Sequence, residues 1–185
     1  MIKRWFDIGV SLATLILLSP VMILVALAVR LDSKGPVIFR QERVGQYGQV
    51  FSIYKFRSMV DNAMTLGPHY TSTGDPRVTR TGKFIRKTSL DELPQLLNVL
   101  YGDMSLIGPR PDVPGQRAGY SKYDWDKRTA VRPGITGLAQ ATLRSAATAE
   151  ERTRLDLEYV DKSSMLFDMW IIILTIKQVL FRGGN

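Results

Sequence analysis

The chain has no cysteine and only one histidine among its 185 residues. The absence of cysteine excludes disulfide bonds, zinc-thiolate sites and cysteine nucleophiles. The single histidine, His69, lies in a stretch rich in Gly, Pro, Thr, Ser and Asp, a composition typical of a loop. A lone loop histidine is most often solvated, so we assign His69 no role. The composition therefore does not favour thiol, zinc or Ser-His chemistry.

Acidic residues are also in the minority. The chain has 25 Lys and Arg against 17 Asp and Glu, a net charge of +8. Such an excess is typical of proteins whose partners are rich in phosphate, such as nucleic acid, anionic lipid or a nucleotide substrate. The length fits one domain with a substantial core. The hydrophobic content of 45% is ordinary, but it is concentrated at the two ends of the chain.

A long apolar segment follows the first few residues. Between Arg4 and Arg30 the only charged residue is Asp7. As a straight helix these residues would extend about 37 Å, which exceeds the roughly 30 Å of a bilayer core. A cleaved signal peptide is not indicated, because the run is too long and no small-residue cleavage site follows it. We therefore predict a membrane helix over residues 1–31 and a separate domain over residues 32–185.

The path of this helix depends on Ser19 and Pro20. Proline removes one backbone hydrogen bond and clashes with the carbonyl four residues back, so a bend is expected there. The hydroxyl of Ser19 can donate to a carbonyl that is freed in this way. The helix could cross the bilayer with a kink, or it could be re-entrant and return to the face it entered. Basic residues flank both ends, which gives the positive-inside rule little asymmetry, so the residues alone leave both paths open.

The middle of the chain has the pattern of a β-hairpin. We predict strands over Val37–Arg43 and Val50–Phe56, joined by a glycine-containing turn. The C-terminal third has helical patterns over residues 115–131 and 148–160. The second of these predicted helices begins with a Ser/Thr-x-x-Glu capping box.

The last helical pattern runs over residues 165–181 and is strongly apolar. Asp168 and Lys177 leave only eight uncharged residues between them, too few to span a bilayer. The apolar residues recur at helical spacing, so this segment is either a helix on the membrane surface or a core helix. The patterns together predict an α+β fold that is mostly helical, with a membrane helix, a small hairpin and amphipathic interfacial helices around the active site.

The adjacent carboxylates Asp91 and Glu92 are the most distinctive candidates for chemistry. A cationic run precedes them, and a Gly-Pro-Arg-Pro turn follows them. In that turn Pro109 and Pro111 hold Arg110 on a stiff backbone, which suits a phosphate clamp. Carboxylates beside arginines are typical of phosphate chemistry with a hard metal ion. By itself an Asp-Glu pair is more often only a helix cap, and a single arginine is often only solvated surface.

Pro94 bears on how the two carboxylates are placed. If Ser89 is the N-cap, Glu92 completes a capping box but the proline falls beyond the first turn. If Asp91 is the N-cap, Pro94 occupies the third helical position, where its missing N–H would have no partner anyway. We prefer the second assignment. In both cases the carboxylates lie at the positive end of the helix dipole, where an anion is stabilised.

Ordered motifs along nearly the whole chain resemble those of one protein family. The residues that carry the resemblance are Lys3-Arg4 with Asp7, Ser19-Pro20, Gly35 to Phe39, Gln41 to Gly45, Tyr54 to Met59, Asp75-Pro76-Arg77, Leu90 to Gln95, Gly102 to Pro111, Arg132 to Gly137 and Asp156 to Val160. They resemble the monotopic phosphoglycosyl transferases, also called bacterial sugar transferases. The chain looks like a minimal form without the additional membrane helices of larger relatives. One departure is Leu138, where many relatives carry Trp.

The resemblance implies a reaction and a location. Such enzymes transfer a sugar 1-phosphate from a UDP-sugar to a polyprenyl (undecaprenyl) phosphate and release UMP. They act at the cytoplasmic face of the bacterial inner membrane, in the first membrane-committed step of glycan assembly. This location favours the re-entrant path for residues 1–31. It also implies that residues 32–185 are a cytoplasmic catalytic domain with a C-terminal interfacial helix. Leu138 bears on substrate preference or membrane contact and leaves the chemistry untouched.

The resemblance also implies roles for individual residues. Asp91 is the expected nucleophile, which forms a covalent phosphosugar intermediate in a ping-pong reaction. Glu92 either ligates Mg²⁺, the expected cofactor, or assists the incoming lipid phosphate, and both carboxylates are candidate metal ligands. The candidate substrate-phosphate site comprises Arg86, Pro109, Arg110 and Pro111, with Arg132 and Arg144 as weaker members. Lys3 and Arg4 are candidates for contact with lipid headgroups.

Two other functions compete with this interpretation. One is a membrane-anchored nucleotide-sugar pyrophosphatase that uses water as the acceptor. The other is a basic, membrane-tethered module that binds nucleic acid or lipid without catalysis. Such a module would need a continuous cationic face with aromatic platforms, whereas these cations accompany carboxylates and rigid turns. We therefore expect a UDP-sugar, polyprenyl phosphate and phospholipid as partners and no nucleic acid, while a homodimer is left open.

Overall fold

A computed structural model describes residues 2–63, 65–67, 74–143 and 148–182. Its helices are α1 (Ile2–Asp32), α2 (Arg80–Lys87), α3 (Gln95–Tyr101), α4 (Lys122–Thr129), α5 (Leu138–Thr142), α6 (Ala149–Lys162) and α7 (Met165–Arg182). Its strands are β1 (Ile38–Val44), β2 (Val50–Phe56), β3 (Ser105–Ile107) and β4 (Gly134–Thr136). The prediction of a mostly helical fold with a small hairpin is confirmed.

The hairpin is formed by β1 and β2. These strands are antiparallel, with Ile38 opposite Phe56 and Val44 opposite Val50. The first strand begins one residue later than predicted. A second, parallel pair joins β3 to β4. It was not predicted, because a strand of three residues is too short to show an alternating pattern.

Helix α1 contains Pro20 within its 31 residues. Among the described residues it is the one helix that is long and apolar enough to cross a membrane. The Ser19 hydroxyl donates a hydrogen bond of 2.8 Å to the carbonyl of Ile16. That carbonyl is the one to which residue 20 would donate if it were not proline. The predicted local role of Ser19 is therefore confirmed.

The first turns of α1 are joined to the rest of the fold by polar contacts. The Lys3 ammonium forms an ion pair with the buried carboxylate of Asp168 in α7. The Arg4 guanidinium donates to the last carbonyls of α3, which a helix end leaves without partners. The buried carboxylate of Asp7 accepts a hydrogen bond of 2.8 Å from Ser105 in β3. We call the Lys3–Asp168 pair the α1–α7 latch.

The last turns of α1 pack on the same domain. Val25 and Val29 are buried in a cluster with Phe56 and Ile85. Between the two ends, the helix exposes apolar side chains that include Leu12, Ile16, Leu17, Val21, Ile23 and Leu24. Both ends of α1 thus contact one domain while its apolar middle is largely free. A helix that returns to the face it entered would have this arrangement, so the contacts support the re-entrant path, which stays a prediction.

Helix α7 is partly a core helix and partly an exposed apolar helix, the two alternatives that its sequence left open. One face is in the core, with Ile171 and Asp168 almost completely buried. Another face exposes apolar side chains at helical spacing, among them Leu166, Trp170, Ile173 and Ile176. An exposed apolar face of this kind is typical of a helix that meets a membrane surface or a partner.

The predicted helix over residues 115–131 is wrong in its extent. A 3-10 segment occupies Pro114–Gly119, and α4 begins only at Lys122. The break has a local cause, because the side chain of Ser121 accepts a hydrogen bond from the backbone of Asp124 and caps α4. The capping box at the start of α6 is confirmed, with Thr148 and Glu151 bonded to each other's backbone N–H groups.

Candidate active site

The two carboxylates lie in the connection between α2 and α3. Ser89 adopts a left-handed conformation with φ of 57°, and Leu90–Glu92 form a 3-10 turn. Helix α3 then begins at Gln95, with Pro94 as its N-cap. Both predicted caps are therefore wrong, since neither Ser89 nor Asp91 caps α3. The tight turn uses backbone bonds between residues three apart, such as that from Glu92 N to Ser89 O, which takes the place of a side-chain cap.

The left-handed backbone at Ser89 is unusual for a residue with a side chain. Such conformations are strained and persist only where the surroundings enforce them, often at functional sites. Here the reversal follows the last turn of α2, which carries Arg86, and precedes Asp91 by two residues. The strained turn thus brings a cation and the carboxylate to one cavity, which both of them line.

Asp91 is buried but has no fixed partner. Its side chain lines an open cavity of about 1780 Å³. Within the described part of the chain its carboxylate makes no hydrogen bond or ion pair. Burial, together with the neighbouring charge of Glu92, raises the pKa of Asp91 to about 6. Asp91 is therefore ionised at neutral pH, with its oxygen lone pairs available to a ligand.

Glu92, in contrast, is held by two cations. Lys55 approaches its Oε1 atom at 2.7 Å, and Arg110 approaches the same atom at 3.5 Å. Burial alone would raise the pKa of Glu92, but the attraction of Lys55 and Arg110 outweighs it and lowers the pKa to about 2. Glu92 is thus a permanently charged counter-ion that orients both cations beside Asp91.

The turn that carries Arg110 is fixed by more than its two prolines. Its carbonyl groups are used as hydrogen-bond acceptors, which anchors the backbone while the Arg110 side chain stays 42% exposed. Three successive carbonyls accept hydrogen bonds: that of Pro109 from the Gly134 backbone, that of Arg110 from the Arg128 guanidinium, and that of Pro111 from the Arg43 guanidinium. The predicted rigid turn is therefore present.

Arg128 connects this turn to α6. Its buried guanidinium forms ion pairs of 2.9 Å with Asp112 and 2.8 Å with Asp156. Because the same group donates to the carbonyl of Arg110, the position of the turn is coupled to α4 and α6. Arg128 was not among the predicted site residues, because its role depends on partners that are distant in sequence.

The structure brings together only some of the predicted phosphate-site residues. Arg86 and Arg110 line the same cavity as the carboxylates. Arg132 is not among the lining residues and instead donates to the carbonyl of Gly102 at 2.8 Å. Arg144 lies outside the described residues, as does His69. Lys3 and Arg4, the candidates for lipid headgroups, contact Asp168 and α3, so their headgroup role stays a prediction.

Two cations in the hairpin were missed by sequence reasoning. Lys55 and Arg43 both line the cavity, and Lys55 contacts Glu92 directly. The register of the two strands indicated that both residues belong to a buried site. In the predicted hairpin, Arg43 and Lys55 fall on the same face as Ile53, a core residue that is 3% exposed. Charged residues on a core-facing side of a strand are rare unless they are paired, so they indicate a buried site.

The residues at this site fit a magnesium ion. Among the described residues there is no group of three or more side chains that could hold a metal ion on their own. Mg²⁺ does not need one, because it is commonly bound by one or two carboxylates together with water and substrate phosphates. The unpartnered carboxylate of Asp91, next to Glu92, provides such a donor set. Magnesium dependence stays a prediction.

Comparison with known proteins identifies the family of the chain. The model of the bacterial sugar transferase family matches residues 1–182. The exopolysaccharide production protein PSS of Rhizobium leguminosarum bv. phaseoli is 46% identical over 193 residues, which cover 98% of this chain and 96% of that protein.

Longer relatives are similarly close. The UDP-glucose:undecaprenyl-phosphate glucose-1-phosphate transferase of Escherichia coli (strain K12) is 43% identical over 187 residues, and the match covers 95% of this chain. The undecaprenyl-phosphate glucose phosphotransferase of Komagataeibacter xylinus is 46% identical over 190 residues, 97% of this chain. The chain spans 39% and 36% of these two proteins, respectively. It belongs to the bacterial sugar transferase family.

Proposed function

We propose that this chain transfers a sugar 1-phosphate from a UDP-sugar to undecaprenyl phosphate and releases UMP. The names of its relatives support the donor and the acceptor. The observation that carries the proposal is the state of Asp91. It is a buried carboxylate without a protein partner, in a cavity that is also lined by Lys55, Arg86 and Arg110.

In the first half of the reaction, a carboxylate oxygen of Asp91 attacks the sugar-proximal phosphorus of the donor. An O–P bond forms as the bond from that phosphorus to the oxygen of UMP breaks, so UMP leaves with the electron pair. Arg86 and Arg110 stabilise the negative charge on the transferred phosphoryl group. The product is an acyl phosphate that links the sugar to Asp91.

In the second half, an oxygen of undecaprenyl phosphate attacks the same phosphorus. The bond to Asp91 breaks and the carboxylate is regenerated, so the lipid leaves with a pyrophosphate-linked sugar. Mg²⁺, when bound, would offset the repulsion between anionic groups and stabilise the leaving phosphate, and Asp91 and Glu92 would hold it. Glu92 also keeps Lys55 and Arg110 in place for both halves.

The experiment that tests the proposal separates the two halves. The protein is incubated with a panel of UDP-sugars without lipid, and its intact mass and released UMP are measured. We expect the added mass of one phosphosugar on Asp91 and one equivalent of UMP. An unmodified protein that turns over only when both substrates are present would contradict the covalent scheme. Continuous release of sugar 1-phosphate without lipid would instead support the pyrophosphatase.

Arg110 provides a prediction about phosphate recognition. We expect Arg110→Lys to lower kcat/KM for the donor by about ten- to a hundredfold, the value of one or two charge-assisted hydrogen bonds. Lysine keeps the positive charge but loses the planar fork that can bind two phosphate oxygens. Arg132→Lys is the matched control, because Arg132 does not line the cavity, and its kcat/KM should stay near that of the wild type. Equal values for both variants would assign Arg110 a structural role only.

We further propose that α1 is re-entrant and that the catalytic domain lies on the cytoplasmic face of the bacterial inner membrane. Both ends of α1 contact this domain, through the α1–α7 latch and through the cluster around Val25 and Val29. Because the reaction needs a lipid phosphate and a soluble nucleotide sugar, the site must lie at the membrane surface. The cationic residues at both ends of α1 could then face the same anionic leaflet.

The topology can be tested by labelling single cysteines in the cysteine-free chain. In Ile2→Cys and Ser33→Cys, both sites should be shielded from a membrane-impermeant reagent applied outside intact cells. Labelling of residue 2 alone would show a spanning helix. Replacing Ser19 with Ala and Pro20 with Leu should straighten α1, expose residue 2 outside and abolish lipid-dependent turnover. If the double variant keeps residue 2 inside and remains active, the bend does not determine the topology.

A further inference from the structure

Helices α1 and α7 both line the cavity that Asp91 also lines. The side chains that they contribute form an apolar cleft. On α1 the lining residues recur every fourth position, and on α7 they follow the same helical spacing. Six of the residues that line the cavity from these two helices are Val10, Thr14 and Leu18 on α1, and Ile172, Ile176 and Val179 on α7. We refer to these six residues as the α1–α7 cleft.

The cleft continues to the carboxylates. The same cavity is lined by Leu106 and Ile107 of β3, and further along by Leu93 and Leu96 next to Asp91 and Glu92. A ligand in the cleft could therefore have one end at the catalytic carboxylates and the rest among aliphatic side chains.

Two polar side chains beside this cleft are hydrogen-bonded within the protein. Thr175 and Gln178 also line the cavity from α7. Thr175 is hydrogen-bonded to Thr136 at 2.8 Å, and Gln178 donates to the carbonyl of Ala141. No acidic or basic residue is among the six that define the cleft. Such a lining favours an apolar ligand, because removing apolar surface from water stabilises the complex.

The rims of the cleft are apolar as well. On α1 the exposed apolar side chains include Val21, and on α7 they include Leu166 and Trp170. An apolar chain could thus pass from a bilayer into the cleft over apolar side chains. The occupant also needs an anionic end, since Arg86 and Arg110 lie beside the carboxylates. A single apolar chain attached directly to a phosphate meets both requirements.

We infer that the α1–α7 cleft holds the isoprenoid chain of the polyprenyl phosphate acceptor, with the phosphate directed toward Asp91. This inference rests on the proposed function and adds the residues that select the acceptor. It assigns α7 a role in the second half of the reaction only, because the donor needs no apolar cleft.

Two isoleucines on α7 provide a matched test. Ile176 is 51% exposed and lines the cleft, whereas Ile173 is 52% exposed and does not line it. We expect Ile176→Trp to raise KM for a long-chain polyprenyl phosphate by at least about tenfold, since apolar pockets discriminate by such factors. The acceptor-independent release of one equivalent of UMP should be unchanged in this variant. Ile173→Trp should resemble the wild type in both measurements.

A second pair of variants, on α1, keeps the inference testable if the α7 variants misfold. Thr14→Phe would fill the cleft from the opposite wall, and Leu17→Phe is its control outside the cleft. If either filling variant keeps the UMP burst and raises KM for the acceptor while its control does not, the inference stands. If the filling and control variants behave alike in both pairs, it is overturned. Absence of any UMP burst in the wild type would refute the proposed function itself, which is a distinct result.

Discussion

Asp91→Asn should lower the rate of UMP release by at least about 10⁴-fold, the scale of loss when a nucleophile is removed. The amide is almost isosteric but cannot form the acyl phosphate, so no phosphosugar mass should appear on the protein. The matched control is Asp126→Asn, because Asp126 is an exposed aspartate on α4. A variant at position 91 that retained more than a small fraction of the rate would show that Asp91 is not the nucleophile.

The same substitution should make the metal-free protein more stable, which distinguishes lost chemistry from lost folding. The pKa of Asp91 is raised to about 6 by burial, with Glu92 adding to the effect. A raised carboxyl pKa means that stability is highest below the unfolded-state pKa of about 4 and is lost as the pH rises through about 6. At neutral pH the ionised Asp91 lowers the free energy of unfolding by up to about 3 kcal/mol. An uncharged asparagine at this position does not lower it. Thermal unfolding of the wild type and of Asp91→Asn should be measured at pH 7 and pH 5. The difference between their Tm values should be smaller at pH 5.

Breaking the Lys55–Glu92 ion pair should have the second largest effect. We expect Glu92→Gln and Lys55→Met each to lower the turnover rate by about 10²- to 10³-fold, because each loses an electrostatic contribution to the transition state and misplaces its neighbour. Lys55 Nζ and Glu92 Oε1 are 2.7 Å apart, and both side chains are only 17% exposed. Removing one partner of a buried pair typically costs about 3–5 kcal/mol in stability, because it leaves the other charge uncompensated.

The double variant with Lys55→Met and Glu92→Gln tests whether the two residues act together. Residues that act as one unit show strongly non-additive effects, so the combined rate loss should be far smaller than the product of the single losses. The double variant should also be more stable than either single variant, since neither charge of the Lys55–Glu92 pair is left without its partner. Additive losses would show independent roles. If Glu92→Gln remains close to the wild-type rate at ordinary Mg²⁺ concentrations, Glu92 serves only the local structure.

Features with local physical causes could be predicted from the sequence. The hairpin follows from alternating side chains around a glycine turn, and the capping box at Thr148 follows from two residues three positions apart. The bond from Ser19 to Ile16 likewise depends only on the proline beside it. The adjacency of Asp91 and Glu92 and the rigidity of the Arg110 turn were predictable for the same reason.

Features that depend on distant partners could not be predicted in this way. The left-handed backbone of Ser89 has no signal in the residue type, and it changed how the carboxylates enter α3. The different pKa values of Asp91 and Glu92 arise in part because Lys55, from a separate strand, forms an ion pair with Glu92 and not with Asp91. Propensity describes a residue and its near neighbours, whereas these properties are set by tertiary contacts.

The α1–α7 latch has a consequence for the order of events during synthesis. Lys3 and Asp168 are 165 positions apart, so the first helix is made long before its partner. At a translation rate of about 5–20 residues per second, the delay is roughly 8 to 33 s. During that interval the path of α1 in the membrane depends on its own residues and on early contacts such as those around Val29. The ion pair can therefore stabilise the path of α1 but cannot determine it. Substitution of Asp168 should lower the stability of the folded protein without changing the path of α1 in the membrane.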